Sequence, residues 1–257
     1  MLNSILGVAL GTLVVAASPD TGAARRATFD AEDVLAQTRA AYAALQSYAD
    51  SGTVLNETPG FTDRSTFRTL FIRDPRYLLI DYRAVASEYK SGYRLPTDAH
   101  TVIWMENGEL QTWSSKTQEL ETYPSDGGQQ VTALNNANYS TSGISVLIPS
   151  HLYSKSGMVS VVHATEEAQA DGVETVNGRR CFRILGVERW RYPSGRETGV
   201  RPITLWIDAE TYLIHKIVED TPKGMPRGSI ERRTITLKYQ ANPRIDPAEF
   251  HFTAPES

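Results

Sequence analysis

Cysteine is almost missing from this chain: Cys181 stands alone among 257 residues. One thiol excludes an internal disulfide framework and a multi-cysteine zinc site. Lysine is scarce as well, with 6 against 20 arginines, and the 26 basic residues are outnumbered by 30 acidic ones. A net charge of −4 does not suit a protein whose main work is gripping a nucleic-acid backbone, which needs a strong basic face. No apolar run reaches the roughly 20 residues of a membrane-spanning helix. Internal repeats, low-complexity tracts and a collagen-like glycine period are also missing.

Catalytic signatures are lacking too. There is no G-x-S-x-G elbow, no H-E-x-x-H and no P-loop. The five histidines, His100, His151, His163, His215 and His251, are too scattered for a local metal pair. Neither a metal nor a cofactor is expected, and a hydrolase assembled from His215 with Asp208 or Glu219 is supported only by the availability of those residues. Cys181, in a strand beside Arg180 and Phe182, reads as a buried, inert thiol.

What is present begins with an apolar segment. Ile5 to Ala17 is almost wholly apolar and thirteen residues long, which at 1.5 Å per residue is short of the ~30 Å hydrocarbon core. It reads as the h-region of a secretory signal peptide over residues 1–23, although the first basic side chain is Arg25. The remainder, 24–257, reads as one domain of an exported, periplasmic protein. No cysteine follows the h-region, so a lipid anchor of the lipoprotein type is not expected.

Asp30 is a plausible N-cap for a helix running to Tyr48, with an apolar stripe of Val34, Leu35, Thr38, Ala41, Tyr42 and Leu45. After Ser51-Gly52 the pattern changes to strands at about 63–73, 76–85, 101–106, 109–114, 178–191, 201–208, 212–220 and 229–241. Short connections, among them Asn107-Gly108, imply antiparallel neighbours. Two short helices interrupt the strands between Gly127 and Ser156, the second broken or restarted at Pro149. Glu166, Glu167, Asp171 and Glu174 read as solvated surface near a turn, and Pro222 to Gly228 as a hairpin loop. Several strands carry apolar residues on both faces: Leu78, Ile80 and Tyr82 alternate with Tyr77 and Leu79. Such a sheet needs cover on both sides, as in a sandwich core, or an apolar hollow.

The C-terminal run Ile245-Asp246-Pro247-Ala248-Glu249-Phe250-His251-Phe252-Thr253-Ala254-Pro255 resembles the closing motif of the LolA-like superfamily of periplasmic outer-membrane lipoprotein-sorting and carrier proteins. Other marks agree in order: a helix ending in Leu45-Gln46-Ser47-Tyr48 before a first strand, the junction Ile72-Arg73-Asp74-Pro75-Arg76-Tyr77, the hairpin Val102 to Trp113, the insertion with Val146-Leu147-Ile148, and the turn Asp208 to Leu213. The resemblance covers most of residues 30–255. Where such carriers have an arginine directly before the junction proline, this chain has Asp74, with Arg73 one residue earlier.

The resemblance implies an α+β fold: a strongly curved antiparallel sheet forming an incomplete (half) β-barrel, with an N-terminal helix and inserted lid helices over its concave face. It also implies a non-enzymatic function, a soluble carrier that binds lipoprotein acyl chains or lipids and delivers them toward the outer membrane between membrane donor and acceptor proteins. The expected lining is Leu70, Ile72, Leu78, Ile80, Trp104, Phe182 and Leu205, beneath a lid of Leu147, Ile148 and Leu152. The phase of each strand decides this set, because a one-residue slip moves every side chain to the other face. The alternative is an envelope lipid-sensing or interaction module of the same fold that signals to a membrane partner.

Overall fold

Asp30 starts the first helix by accepting hydrogen bonds from the backbone N–H groups of Glu32 (2.8 Å) and Asp33 (3.1 Å). The computed structural model describes residues 29–91, 94–96, 98–106, 108–124, 127–138, 140–152, 160–191, 197–221 and 230–255. The expected leader and the Pro222–Gly228 loop lie outside these residues. Helix α1 (Ala31–Ala44) buries Ala31, Val34, Leu35, Thr38 and Tyr42, the stripe set by its three-and-four spacing. It stops four residues before the expected Tyr48. Leu45 is already extended (ψ 130°), and Ser47 and Tyr48 are taken by the ladder of the first strand.

The strands are β1 (Ser47–Glu57), β2 (Phe61–Ile72), β3 (Tyr77–Tyr89), β4 (Arg94–Pro96), β5 (His100–Glu106), β6 (Glu109–Ser114) and β7 (Leu120–Tyr123). Then come helices α2 (Gly127–Asn136), α3 (Ile144–Leu152) and α4 (Val161–Ala164). Strands β8 (Thr165–Val176), β9 (Arg179–Arg191), β10 (Glu197–Asp208), β11 (Ile214–Asp220) and β12 (Arg232–Ala241) follow, and a short 3-10 turn at Pro247–Phe250 precedes the end. All pair antiparallel in one sheet, ordered β7-β6-β5-β3-β2-β1-β12-β11-β10-β9-β8, with β4 beside β3. β1 bonds β12 along its other side, which brings the two halves of the chain together. Among the described residues β7 and β8 remain edges, so the sheet is an open half-barrel. No described helix is long and apolar enough to cross a membrane.

Several elements depart from the sequence reading. Ser51-Gly52 lies inside β1 rather than before the strands. A Cβ on Gly52 would sit 2.2 Å from the Thr236 carbonyl oxygen and 2.5 Å from the Phe67 ring, so the glycine gives that ring its place across β1. Strands β4 and β7 were not foreseen, being three and four residues long. The acidic stretch 165–176 is the edge strand β8, not a turn. Its carboxylates meet arginines of β9: Arg183 with Asp171 (3.1 Å) and Glu174 (3.0 Å), and Arg189 with Glu166 (3.3 Å). Two register shifts break up this edge, which discourages pairing with another chain. Finally, α3 runs straight through Pro149 to Leu152.

The sheet carries a hydrophobic cluster on each face. The large one holds α1, α2, α3 and α4 against the concave side. The smaller one lies under the C-terminal segment, where Phe250 packs on Tyr77 (5.2 Å between ring centroids) and Phe252 on Trp104 (5.0 Å). Both faces of the central strands are therefore dry, which accounts for their doubly apolar pattern.

Gly52→Ala should destabilise the fold by about 1–3 kcal/mol, because the backbone oxygen above it cannot swing aside as a side chain would. Gly60→Ala, with nothing within 4 Å of its Cβ position, should stay within about 0.5 kcal/mol of the native protein. Chemical denaturation of the two variants checks this.

Candidate functional site

Residues directly opposite in an antiparallel ladder share a face, so the register sorts the side chains. Tyr48, Phe71, Leu78 and Met105 form one row across β1, β2, β3 and β5. Ile184, Leu205, Ile217 and Ile235 form another across β9, β10, β11 and β12. Both rows face the helices. Of the expected lining, Leu78, Ile80 and Leu205 lie here with Leu147, Ile148 and Leu152 of α3, all in one buried cluster. Phe182 sits at its margin, against Phe29 (4.7 Å) and Tyr212 (6.0 Å).

Leu70, Ile72 and Trp104 are on the other face, a correction to the expected lining. Leu70 opposes Ala49 and Leu79, and Leu79 opposes Trp104, so this row points away from the helices and is covered by Phe250 and Phe252. The phase of β2 and β5 is one residue from that expected. Apolar side chains on both faces left the sequence pattern without a marker for it.

The cover is one tied unit. Thr141 accepts a hydrogen bond from the Ser145 N–H (3.1 Å), and the Ser145 hydroxyl donates to the Leu134 carbonyl of α2 (2.7 Å). Gln130 donates to the Gly108 carbonyl at the β5–β6 turn (2.8 Å). α3 is buried along its length except at Val146, with Pro149 inside it. Arg73, on the β2–β3 turn, fastens one end. Its guanidinium donates to the carbonyls of Leu45 (2.6 Å), Tyr42 (3.2 Å) and Leu152 (3.2 Å). Neither helix has a basic residue of the Lys or Arg type in its last turn, so a cation from the sheet satisfies carbonyls that helix ends leave open. Arg73 thus holds both α1 and α3.

Behind that tether lies a buried polar spine. The Tyr48 hydroxyl donates to Asp50 (2.9 Å), which also accepts from the Thr69 N–H (3.0 Å). Tyr42 accepts from the Ile214 N–H (3.2 Å) and stacks on His151 of α3, with centroids 4.7 Å apart. Burial lifts the Asp50 carboxyl to about 7, partly offset by its hydrogen bonds from Tyr48 and Thr69. Burial also drives His151 down to about 3, with a smaller push from His163, and its Nε2 meets no hydrogen-bond partner among the described residues.

At the end of the sheet opposite Arg73 the cover is less tight, and two pockets open side by side. One, about 450 Å³, has Val146, Leu147, Val161 and Ile235 on its apolar side. Its rim is ionic: Glu219 accepts from Arg201 (2.7 Å) and Arg233 (3.1 Å). The other, about 540 Å³, is polar. Ser142, in the α2–α3 loop with φ of 49°, lines both pockets. A hydrogen-bond chain holds it: Arg233 donates to Asn56 (3.2 Å), Asn56 to Ser142 (3.3 Å), and Tyr82 to Ser65 (2.7 Å). That leaves the Ser142 hydroxyl to donate to Tyr82 (2.7 Å). Sequence reasoning missed this latch because its members come from β1, β2, β3, β12 and a loop, with no local spacing to connect them.

Other candidates have structural work. His215 lies 3.3 Å from Asp208, whose carboxylate accepts from the backbone of Glu210 (2.8 Å) and Thr211 (3.0 Å) to shape the β10–β11 turn. Glu219 is engaged at the mouth instead. The Cys181 thiol is buried, and burial pushes it up to about 11.

The fold is thus an open antiparallel half-barrel with a helical cover over its concave face. The sequence matches no protein-family model, and no curated protein matches it. Similar solved structures include the lipoprotein LppX of Mycobacterium tuberculosis, with 12% identity over 84% of this chain and 96% of that one, at a TM-score of 0.45. LprF from Mycobacterium bovis shows 16% identity over 88% and 96%, at 0.45. A LolA superfamily protein from Nitrosomonas europaea shows 10% identity over 88% and 99%, at 0.31. Likenesses of this strength say nothing about a ligand, so the functional reading rests on this chain's own residues.

Arg73→Met should loosen the C-terminal turns of α1 and α3 by about 1–3 kcal/mol, since charge-assisted bonds to three carbonyls are lost. Amide exchange in these turns should quicken accordingly. The spine makes a second prediction. Folded Asp50 keeps a proton between 3.8 and about 7 that the unfolded chain has released, so this group adds stability as pH falls through that window. Unfolded His151 takes up a proton between 6.5 and about 3 that the folded chain refuses, so this group removes stability as pH falls. The two oppose each other. Asp50→Asn should therefore lose stability on going from pH 6.5 to 4, and His151→Phe should gain it, with the native protein between them in denaturant titrations.

Proposed function

We propose that this chain is a non-enzymatic, exported carrier that binds an acyl chain of a lipid or lipoprotein against its concave face, beneath α3. The observation that carries the reading is the mode of covering. An apolar face that runs across the sheet is closed by a helix that belongs to no ladder, beside a pocket that already exposes part of that face. Each CH₂ taken out of water contributes about 0.8 kcal/mol. An acyl chain that displaces α3 replaces one set of apolar contacts with another, so uptake needs little net free energy and release stays possible. Such an exchange suits a carrier passing its load from a membrane donor to a membrane acceptor. Arg73 and the Ser142 latch hold the cover down at its two ends, and both act through hydrogen bonds that can reform after each cycle.

The test begins with the protein taken from its native envelope, extracted with organic solvent and examined by mass spectrometry. A stoichiometric acylated molecule supports the carrier. A clean protein that also fails to take up a fluorescent fatty acid overturns it and leaves the interaction-module alternative in front. Leu147→Asp places a charge on the apolar side of the mouth pocket, where Leu147 is 8% exposed. It should weaken fatty-acid uptake tenfold or more while costing the fold only about 1–2 kcal/mol, because the new carboxylate can reach the pocket's water. Unchanged uptake in a folded Leu147→Asp protein would contradict the placement of the chain under α3.

A further inference from the structure

We infer that the 540 Å³ polar pocket at the mouth receives an uncharged, hydroxyl-rich head group, a sugar or polyol, carried by the same amphiphile whose acyl chain lies under α3. The inference rests on the acyl-binding reading and deepens it.

The lining sets the chemistry. Six hydroxyls face this space, from Ser65, Tyr82, Ser87, Ser115, Ser140 and Ser142. A hydroxyl both donates and accepts, and so does each hydroxyl of a sugar, so the two sets can pair without leaving a desolvated group unmatched. Ser65 is buried, 3% exposed, as is Tyr82 beside it. Ser65 accepts from Tyr82 at the end of the latch chain and has its own proton to give to a guest oxygen. The floor is made small by Ala84, Ala86 and Ala99, which leaves the volume open.

Charge argues against an ionic head. Asp63 and Asp98 line the pocket together with Arg64 and Lys116, so the formal charges cancel. A phosphate entering would meet two carboxylates as well as two cations, and like charges at close range cost what opposite ones return. The neighbouring pocket is no better for an anion, since Glu219 already occupies Arg201 and Arg233. Carboxylates suit hydroxyl donors instead: Asp63 already accepts from Ser87 (2.5 Å).

Position connects head to chain. The polar pocket and the apolar-sided one are divided at Ser142, whose hydroxyl is held only by Tyr82 and Asn56 among the bonds described. A ligand spanning the division would have its head among the hydroxyls and its chain against Val146, Leu147, Val161 and Ile235. Displacing Ser142 breaks bonds that the head group's own hydroxyls can replace at Tyr82 and Asn56.

The experiment uses the full purified chain and three probes with the same twelve-carbon chain, each below its micelle concentration: dodecyl maltoside, dodecanoate and dodecyl phosphate. The expected result is binding of dodecyl maltoside at least tenfold tighter than either anion. Ala84→Leu, which fills the polar pocket, and Ser87→Ala, which removes only a hydroxyl outside the latch, should each cut that preference fivefold or more and leave dodecanoate affinity within twofold. Equal affinity for the three heads, or a preference for dodecyl phosphate, overturns the head-group inference and leaves acyl binding standing. Failure of every probe to bind overturns both.

Discussion

A sheet that stays open and is apolar on both faces must be covered twice, and this requirement organises the whole molecule. Closure into a barrel would have hidden one face by itself. Here the convex side is covered by the last residues of the chain, through Phe250 and Phe252, and the concave side by α1 and the insertion around α3. The two covers differ in kind. The first is a terminal strap lying over Trp104 and Trp113. The second is a tied pair of helices with a pocket at one end, and a cover of that sort can lift without unpairing any strand.

The polar groups are placed to govern that cover. Arg73 joins the C-terminal ends of α1 and α3 to the β2–β3 turn, while Ser142 joins the α2–α3 loop to β1 and β3 at the far end. Between them lies the spine from Asp50 through Tyr48 and Tyr42 to His151, with a carboxyl lifted to about 7 and an imidazole held near 3 by the same burial. Burial of these groups costs stability that a purely apolar core would keep. Their opposed proton uptake makes the net cost change little over the range where each alone would vary.

The half-barrel was legible because its signals are long-range in order but local in form. The helix cap at Asp30, the strand runs of β2, β3, β5, β6 and β9 to β12, the pair of helices midway and the C-terminal motif each stand in a short stretch of sequence. Strand phase was not legible where it mattered. Leu70, Ile72 and Trp104 are as apolar as Phe71, Leu78 and Met105, and only pairing partners tell the rows apart. The acidic strand β8 was hidden because its partners, Arg183 and Arg189, sit on another strand. Arg73 was visible as a residue near the junction proline, but its three carbonyl partners become adjacent only in the fold. The mouth latch left no trace in the sequence at all, since Asn56, Ser65, Tyr82, Ser142 and Arg233 converge from five segments.

The central claim is that α3 is a removable cover and not a fixed piece of core. Amide hydrogen exchange, followed residue by residue with and without a saturating fatty acid, addresses it most directly. A removable cover should exchange through an opening of its own, well below the global unfolding free energy, and α3 should change its protection on ligand binding while β1, β2 and β12 do not. If α3 instead exchanges only when the whole sheet unfolds, and the fatty acid alters nothing there, then the concave face is a permanent core and the carrier reading is wrong.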